Sequence, residues 1–160
     1  MSMRVLRVFR RLGLKSILGS ALTLEQEVYN LFASMKEELA DLEVPPSIVR
    51  IVDEEIGHQS LIRDMIAGRL GEEEMERILE GNDLHIHDPQ AIEPLSKKRY
   101  GPILQRLQII LDREREVYDL FAGLYRKSRI PSVRRAFRFL KEQEQTHVLM
   151  LERLLGKPNS

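Results

Sequence analysis

The residues of this sequence that could do chemistry occur twice, in the same order and at the same spacing. Each set has one glutamate followed 30 residues later by a Glu-x-x-His motif. The sets are Glu25, Glu55 and His58, and Glu114, Glu144 and His147. Residues three apart lie side by side on one helix face, so each motif can direct a carboxylate and an imidazole to the same point. These groups bind iron, manganese and zinc, and the pattern therefore predicts a metal site.

The repeat extends beyond these six residues. Residues 25–33 read EQEVYNLFA and residues 114–122 read EREVYDLFA, a displacement of 89 that the Glu-x-x-His motifs share. Two related helical hairpins would bring four carboxylates and two imidazoles together. Buried carboxylates without partners are costly or take up protons, whereas two divalent cations balance four carboxylates. We therefore expect two metal ions in the core.

The elements that must position these residues are four long helices. Helical periodicity of the apolar residues, with breaks at prolines and glycines, places them at about residues 20–42, 46–67, 100–126 and 131–155. This pattern predicts an all-α fold, a four-helix bundle made of two duplicated hairpins joined by a long crossover. The predicted single domain of residues 1–160 divides into a leader (1–18), a first hairpin (20–67), a crossover (68–99) with a short acidic helix near 72–79, and a second hairpin (100–155).

Composition excludes several classes of protein. With no cysteine among 160 residues, the chain has no disulfide, no thiolate nucleophile and no cysteine-based metal centre. The 25 basic and 25 acidic residues cancel, which argues against whole-surface attraction to nucleic acid. No apolar run approaches the roughly 20 residues that span a bilayer, and we expect a cytoplasmic protein.

The neutral total conceals a basic leader. Its five bases, with no acid among the first fifteen residues, are Arg4, Arg7, Arg10, Arg11 and Lys15. That stretch is +5, so the remaining 145 residues sum to −5. Apolar residues interleave with the bases at helical spacing, which predicts a short N-terminal basic amphipathic helix. Three interpretations stay open: packing on the body or a sister subunit, contact with a membrane surface through residues 1–15, and a targeting leader.

The duplicated ligand pattern resembles that of the ferritin-like superfamily, most closely its rubrerythrin-like branch, over about residues 20–66 and 108–155. The resemblance implies terminal carboxylates at Glu25 and Glu114, and one imidazole for each metal from His58 and His147. It also implies bridging carboxylates, which would be Glu55 and Glu144. Val117 stands where rubrerythrins carry an extra carboxylate, so the ligand set here would be symmetric.

The resemblance also implies a cofactor and partners. It implies two iron ions, with manganese or zinc as substitutes, dioxygen or hydrogen peroxide as the reacting partner, and a homodimer. Rubrerythrins proper carry a cysteine-rich domain that supplies electrons, which this chain lacks, so an external electron donor is expected. The predicted function is a diiron-carboxylate oxidoreductase of the peroxidase or ferroxidase type. The alternative is a non-catalytic protein that binds, delivers or helps to store iron.

Three further assignments stay open on the sequence. Glu27 and Glu116 compete with Glu25 and Glu114 for the terminal role, although residues two apart lie about 200° apart on a helix, so only one of each pair can face inward. Tyr29 and Tyr118, four residues beyond Glu25 and Glu114, either hydrogen-bond a ligand or relay an electron, or are core aromatics. The crossover residues His85, His87 and Asp88 form either a surface metal cluster or a polar loop.

Overall fold

The structure is a computed structural model that describes residues 3–69, 73 and 92–158, without the side chains of residues 3–12 and 14. Its elements within those ranges are all helical. They are α1 (Met3–Ser34), α2 (Lys36–Leu39), α3 (Pro46–Ile66), α4 (Lys97–Lys127) and α5 (Pro131–Leu154). The prediction of an all-α fold is confirmed.

The four long helices form a bundle of two hairpins. Helix α1 packs on α3, and α4 packs on α5. Helix α1 also contacts α4, and α3 also contacts α5. Each helix therefore has two neighbours around the bundle, which is the arrangement that the duplicated sequence predicts.

The ends of the long helices follow local chemistry. Pro46 and Pro131 occupy the first turns of α3 and α5, where a missing backbone N–H costs nothing. Gly68 and Gly156 follow the same two helices with φ of 67°, the left-handed conformation that glycine adopts without strain. These signals were readable in the sequence.

The prediction of a separate short helix for the leader is wrong. The leader does not form one, because α1 runs without a break from Met3 to Ser34. Gly13 and Gly19 lie inside α1, and a glycine there costs only about 1 kcal/mol relative to alanine while it keeps its backbone hydrogen bond. The helix therefore continues through both glycines.

The end of α1 also differs from the prediction of a helix to about residue 42. Helix α1 ends at Ser34, and Met35 has φ −89° and ψ 0° before the short helix α2 begins. The carbonyl of Ser34 accepts a hydrogen bond of 2.8 Å from the Arg106 guanidinium of α4. A partner from a distant helix satisfies this helix-terminal acceptor, which no local pattern indicates.

Two apolar clusters fill the bundle, and both draw on all four long helices. The first is centred on Val28, Phe32, Met35, Ile48, Ile51, Ile103, Leu107, Ile110, Leu111, Met150, Leu151 and Leu154. The second is centred on Leu18, Ala21, Leu61, Ile62, Val117, Phe121, Ala136, Phe137 and Leu140. In α1, Glu25 lies between Ala21 of the second cluster and Val28 of the first, so a polar layer separates the two.

Only the end of the crossover is described. Residues 92–96 have no regular secondary structure, and the Leu95 N–H donates to the Leu154 carbonyl at 2.8 Å. The proposed cluster of His85, His87 and Asp88 lies outside the described residues, as does the predicted helix near 72–79 apart from Glu73. Over the described part of the chain, no helix combines the length and apolarity needed to cross a bilayer.

Candidate metal centre

All six predicted ligands lie in the polar layer of the bundle. Helices α1 and α4 each contribute one glutamate, and α3 and α5 each contribute a Glu-x-x-His pair. None of the six is more than 2% exposed: Glu25, Glu55, His58, Glu114, Glu144 and His147. A helical spacing of three residues, read in the sequence, thus places each pair on the inward face.

Side chains of the two hairpins contact each other at this layer. The His58 Nδ1 atom lies 2.9 Å from an oxygen of Glu144, and the His147 Nδ1 atom lies 2.9 Å from an oxygen of Glu55. Each histidine therefore faces the carboxylate of the opposite hairpin. The two imidazole rings are stacked, with centroids 5.3 Å apart. Ligand atoms from these four residues all lie within 4.8 Å of one another, close enough to hold a metal ion.

The remaining two glutamates close the cluster from α1 and α4. An oxygen of Glu25 lies 3.7 Å from Nδ1 of His58, and an oxygen of Glu114 lies 3.5 Å from Nδ1 of His147. Each thus approaches one histidine, so the six side chains form one buried cluster.

Burial decides between the rival glutamates. Glu25 and Glu114 are fully buried, whereas Glu27 and Glu116 are 48% and 54% exposed in their side chains. The exposed pair lies near the guanidinium of Arg113, 3.9 Å from Glu27 and 3.0 Å from Glu116. Glu27 and Glu116 are therefore surface residues, and Glu25 and Glu114 are the glutamates that face the core.

The donor set fits two divalent cations. All eight oxygens of the four buried glutamates, together with both Nδ1 atoms, make no hydrogen bond of ordinary geometry among the described residues, and face one another instead, as in the two Nδ1-to-oxygen contacts of 2.9 Å. Buried polar atoms are almost always satisfied in folded proteins, and ten such atoms at one place require an explanation. Four carboxylate charges equal the charge of two M²⁺ ions, and oxygen and imidazole donors suit iron, manganese and zinc.

Without metal, the carboxyl groups divide into two classes. Burial and the charges of neighbouring glutamates raise the pKa of Glu55 and of Glu144 well above the usual value of 4.5. Burial alone would also raise the pKa of Glu25, but polar contacts with Glu55 and His58 lower it to about 2. The pKa of Glu114 is lowered in the same way, against burial, by contacts with Glu144 and His147.

The histidines carry the compensating charge. Burial would lower the pKa of His58, yet Glu25 and Glu55 raise it to about 9. Burial likewise opposes the charged form of His147, whose pKa is nevertheless raised well above 6.5 by the surrounding glutamates. Two imidazolium ions then balance two ionised glutamates. In the metal-free protein, bound protons therefore supply the positive charge that metal ions would otherwise supply.

Two residues that the sequence analysis missed support the histidines. The Nε2 atom of His147 lies 2.7 Å from an oxygen of Glu54, and Nε2 of His58 is hydrogen-bonded to the side-chain oxygen of Gln143. A carboxylate or amide oxygen accepts a hydrogen bond, so both Nε2 atoms carry hydrogen and both Nδ1 atoms are left to bind metal. A signal was present, since each supporting residue directly precedes Glu55 or Glu144.

The tyrosines lie at the edge of the layer. Tyr29 and Tyr118 are half-buried, next to the buried Val28 and Val117. Because the buried carboxylate oxygens lack hydrogen-bond partners among the described residues, neither phenol donates to a ligand here. A role for these tyrosines in electron relay stays a prediction.

Fold and site together define a class of protein: a ferritin-like helical bundle with a carboxylate and histidine metal-binding cluster between its helices. The Rubrerythrin family model matches residues 16–155. The chain therefore belongs to the rubrerythrin family, a family of diiron-carboxylate proteins. No curated protein and no solved structure matches it.

Proposed function

We propose that this protein is a diiron-carboxylate oxidoreductase that binds two iron ions in the bundle core and reacts with peroxide or dioxygen, as a peroxidase or a ferroxidase. One observation carries the proposal: ten buried metal-ligating atoms that make no ordinary hydrogen bond among the described residues converge on one layer of the bundle. Their charge matches two divalent ions, and the Rubrerythrin family match makes iron the favoured metal.

Each ligand has a role that follows from its position. Glu55 and Glu144 would bridge the two ions, since each lies within 4 Å of His147 and Glu144 also reaches His58. Glu25 would complete the His58 side and Glu114 the His147 side, as their distances to these histidines indicate. This assignment agrees with the roles that the family resemblance implies.

The bound iron pair would supply the redox chemistry, by giving two electrons to an O–O bond. The chain itself contributes two things. The apolar clusters on both sides of the layer keep bulk water away from the carboxylates. The hydrogen bonds at Nε2 hold both imidazoles with Nδ1 toward the site. The proposal includes an external electron donor, because these 160 residues hold no cysteine-based redox centre.

Metal analysis of protein purified from iron-replete cells tests the proposal. We expect two iron ions per chain in the natural protein and almost none in the Glu55→Ala, Glu144→Ala double variant. A matched control is the Glu27→Ala, Glu116→Ala double variant, which removes two exposed glutamates of the same helices and should keep both ions. Substantially less than two metals per chain in the natural protein, or full loading of the Glu55→Ala, Glu144→Ala variant, would contradict the proposal.

Turnover separates the proposed activity from its alternative. With an artificial electron donor, an oxidoreductase consumes many equivalents of peroxide per chain. A protein that only binds or delivers iron would instead oxidise Fe²⁺ once, in proportion to its sites, and then stop. The second result would favour the non-catalytic function while leaving the metal site in place.

A further inference from the structure

The symmetry of the site is broken at one pair of positions. A displacement of 89 residues relates every ligand of the first hairpin to one of the second, and the same displacement relates Glu54 to Gln143. Both residues make the equivalent contact, since each accepts a hydrogen bond from the Nε2 atom of a histidine on the opposite hairpin. They differ in charge: one acceptor is a carboxylate and the other is a neutral amide.

The difference extends one residue further from the site. Glu54 is held by the Arg50 guanidinium, with Nε 2.7 Å from Oε1 of Glu54, while its second oxygen contacts His147. The position equivalent to Arg50 in the second hairpin is Phe139, which is buried among apolar residues. Gln143 therefore lacks an arginine four residues before it, and within the described part of the chain the anchored series of Arg50, Glu54 and His147 has no counterpart in the second hairpin.

Such outer partners influence metal binding through the ligand. A hydrogen bond from the distal N–H fixes the tautomer and ring orientation and increases the electron density on the coordinating nitrogen. An ionised acceptor makes a hydrogen bond roughly twice as strong as a neutral one. The imidazole that donates to a carboxylate is therefore the better donor to a cation, and its ring is the more firmly oriented.

We propose that the two metal positions are unequal: the position at His147, supported by Glu54, binds its divalent ion more tightly and fills before the position at His58, supported by Gln143. This inference rests on the proposed function, since it assumes that two ions bind. Mutation of such outer partners typically changes metal affinity by about 10–100-fold, so we expect the two dissociation constants to differ by at least about tenfold.

The test is a calorimetric titration of metal-free protein with Zn²⁺, compared with two nearly isosteric exchanges. The natural protein should bind two ions in two resolved steps. Glu54→Gln should weaken the first step by about 10–100-fold and bring the two constants together. Gln143→Glu should strengthen the second step, and a gain in affinity cannot result from a misfolded variant. Glu142→Gln, a neighbouring surface exchange beside Arg138, should leave both constants unchanged.

A crystal structure of the protein with one equivalent of Co²⁺ shows which of the two positions fills first. Anomalous scattering should place this ion beside His147. Equal affinities in the natural protein, a first ion beside His58, or unchanged constants in both exchanges would each overturn the inference while leaving the two-metal site intact. A natural protein that binds no metal would instead overturn the proposed function itself, so the two failures are distinguishable.

Discussion

The two hairpins are alike at the ligands and unlike around them. Both place one glutamate and one Glu-x-x-His pair in the core with nearly no exposure. Behind the histidines, however, the first hairpin supplies the charged pair of Arg50 and Glu54, whereas the second supplies Gln143 and the apolar Phe139. A ligand cannot be lost without leaving buried charge uncompensated, but a supporting residue can change as long as it still accepts a hydrogen bond.

The largest expected effect is on the stabilisation by bound metal, and it tests whether the ligands of the two hairpins contribute equally. Zn²⁺ at a thousand times its dissociation constant should raise the free energy of unfolding by about 4 kcal/mol for each ion bound. Glu55→Ala and Glu144→Ala should each remove most of this gain, and to a similar extent, because each carboxylate lies 2.9 Å from the histidine of the opposite hairpin. The measurement is urea unfolding with and without Zn²⁺. A gain that survives in one variant but not in the other would break the equality.

The second prediction concerns a matched pair of core residues. Phe32 and Phe121 occupy equivalent positions seven residues beyond Glu25 and Glu114, in different apolar clusters. Replacement of either by alanine should destabilise the protein by about 3–5 kcal/mol. The loss at Phe121 should be greater by about 1 kcal/mol, since its ring stacks on Phe137 at 6.3 Å. Denaturant unfolding of both variants measures this difference, and a larger loss at Phe32 would contradict it.

A third prediction uses pH to separate the metal-free protein from the loaded one. The pKa of His58 is about 9 in the folded metal-free protein and about 6.5 when the chain is unfolded. Its contribution to stability is therefore complete below pH 6.5 and is lost as pH rises through 9. At about 1.4 kcal/mol per pKa unit, the loss is on the order of 3 kcal/mol. Urea unfolding of metal-free protein between pH 6 and 9.5 should show this decline.

The loaded protein should behave in the opposite way. Two M²⁺ ions must displace protons from His58, His147, Glu55 and Glu144, up to four in all, two from imidazoles and two from carboxyls. Metal affinity should therefore fall as pH is lowered, with release near pH 5. Full occupancy at pH 4, or a metal-free protein that becomes more stable from pH 6.5 to 9, would be inconsistent with this proton balance.

The smallest expected effect concerns the tyrosines. Tyr29→Phe and Tyr118→Phe remove only half-buried phenol groups that make no hydrogen bond to a ligand, so metal content should stay at two ions and stability should change by less than about 0.5 kcal/mol. If the phenols relay electrons, peroxide turnover should fall while loading is unchanged. Loss of metal in either variant would show instead that the phenols support the ligands.

Local sequence signals were sufficient for the architecture. Apolar periodicity and the positions of Pro46, Pro131 and Gly68 predicted helices whose observed bounds differ by only a few residues, apart from α1. The 89-residue repeat predicted two hairpins and the six buried site residues. These inferences succeed because helix faces and helix ends depend on residues within a few positions of one another.

Other features depended on contacts between distant residues. The first helix ends at Ser34, where Arg106 of another helix donates a hydrogen bond to its carbonyl. The pattern of apolar residues predicted a boundary between residues 18 and 20, but the helix continues through Gly13 and Gly19, because each glycine costs only about 1 kcal/mol relative to alanine. Glu54 and Gln143 could not be identified as histidine partners from their own surroundings, since their partners lie 93 and 85 residues away.

The sequence by itself determined which residue types are repeated, on which helix faces they lie, and that six of them are suited to two divalent ions. Only the tertiary structure decided which histidine faces which hairpin and which acceptor lies behind each one. The physical reason is distance: helical periodicity acts over three or four residues, whereas the charge difference between Glu54 and Gln143 matters only where folding brings each of them within hydrogen-bond reach of an imidazole.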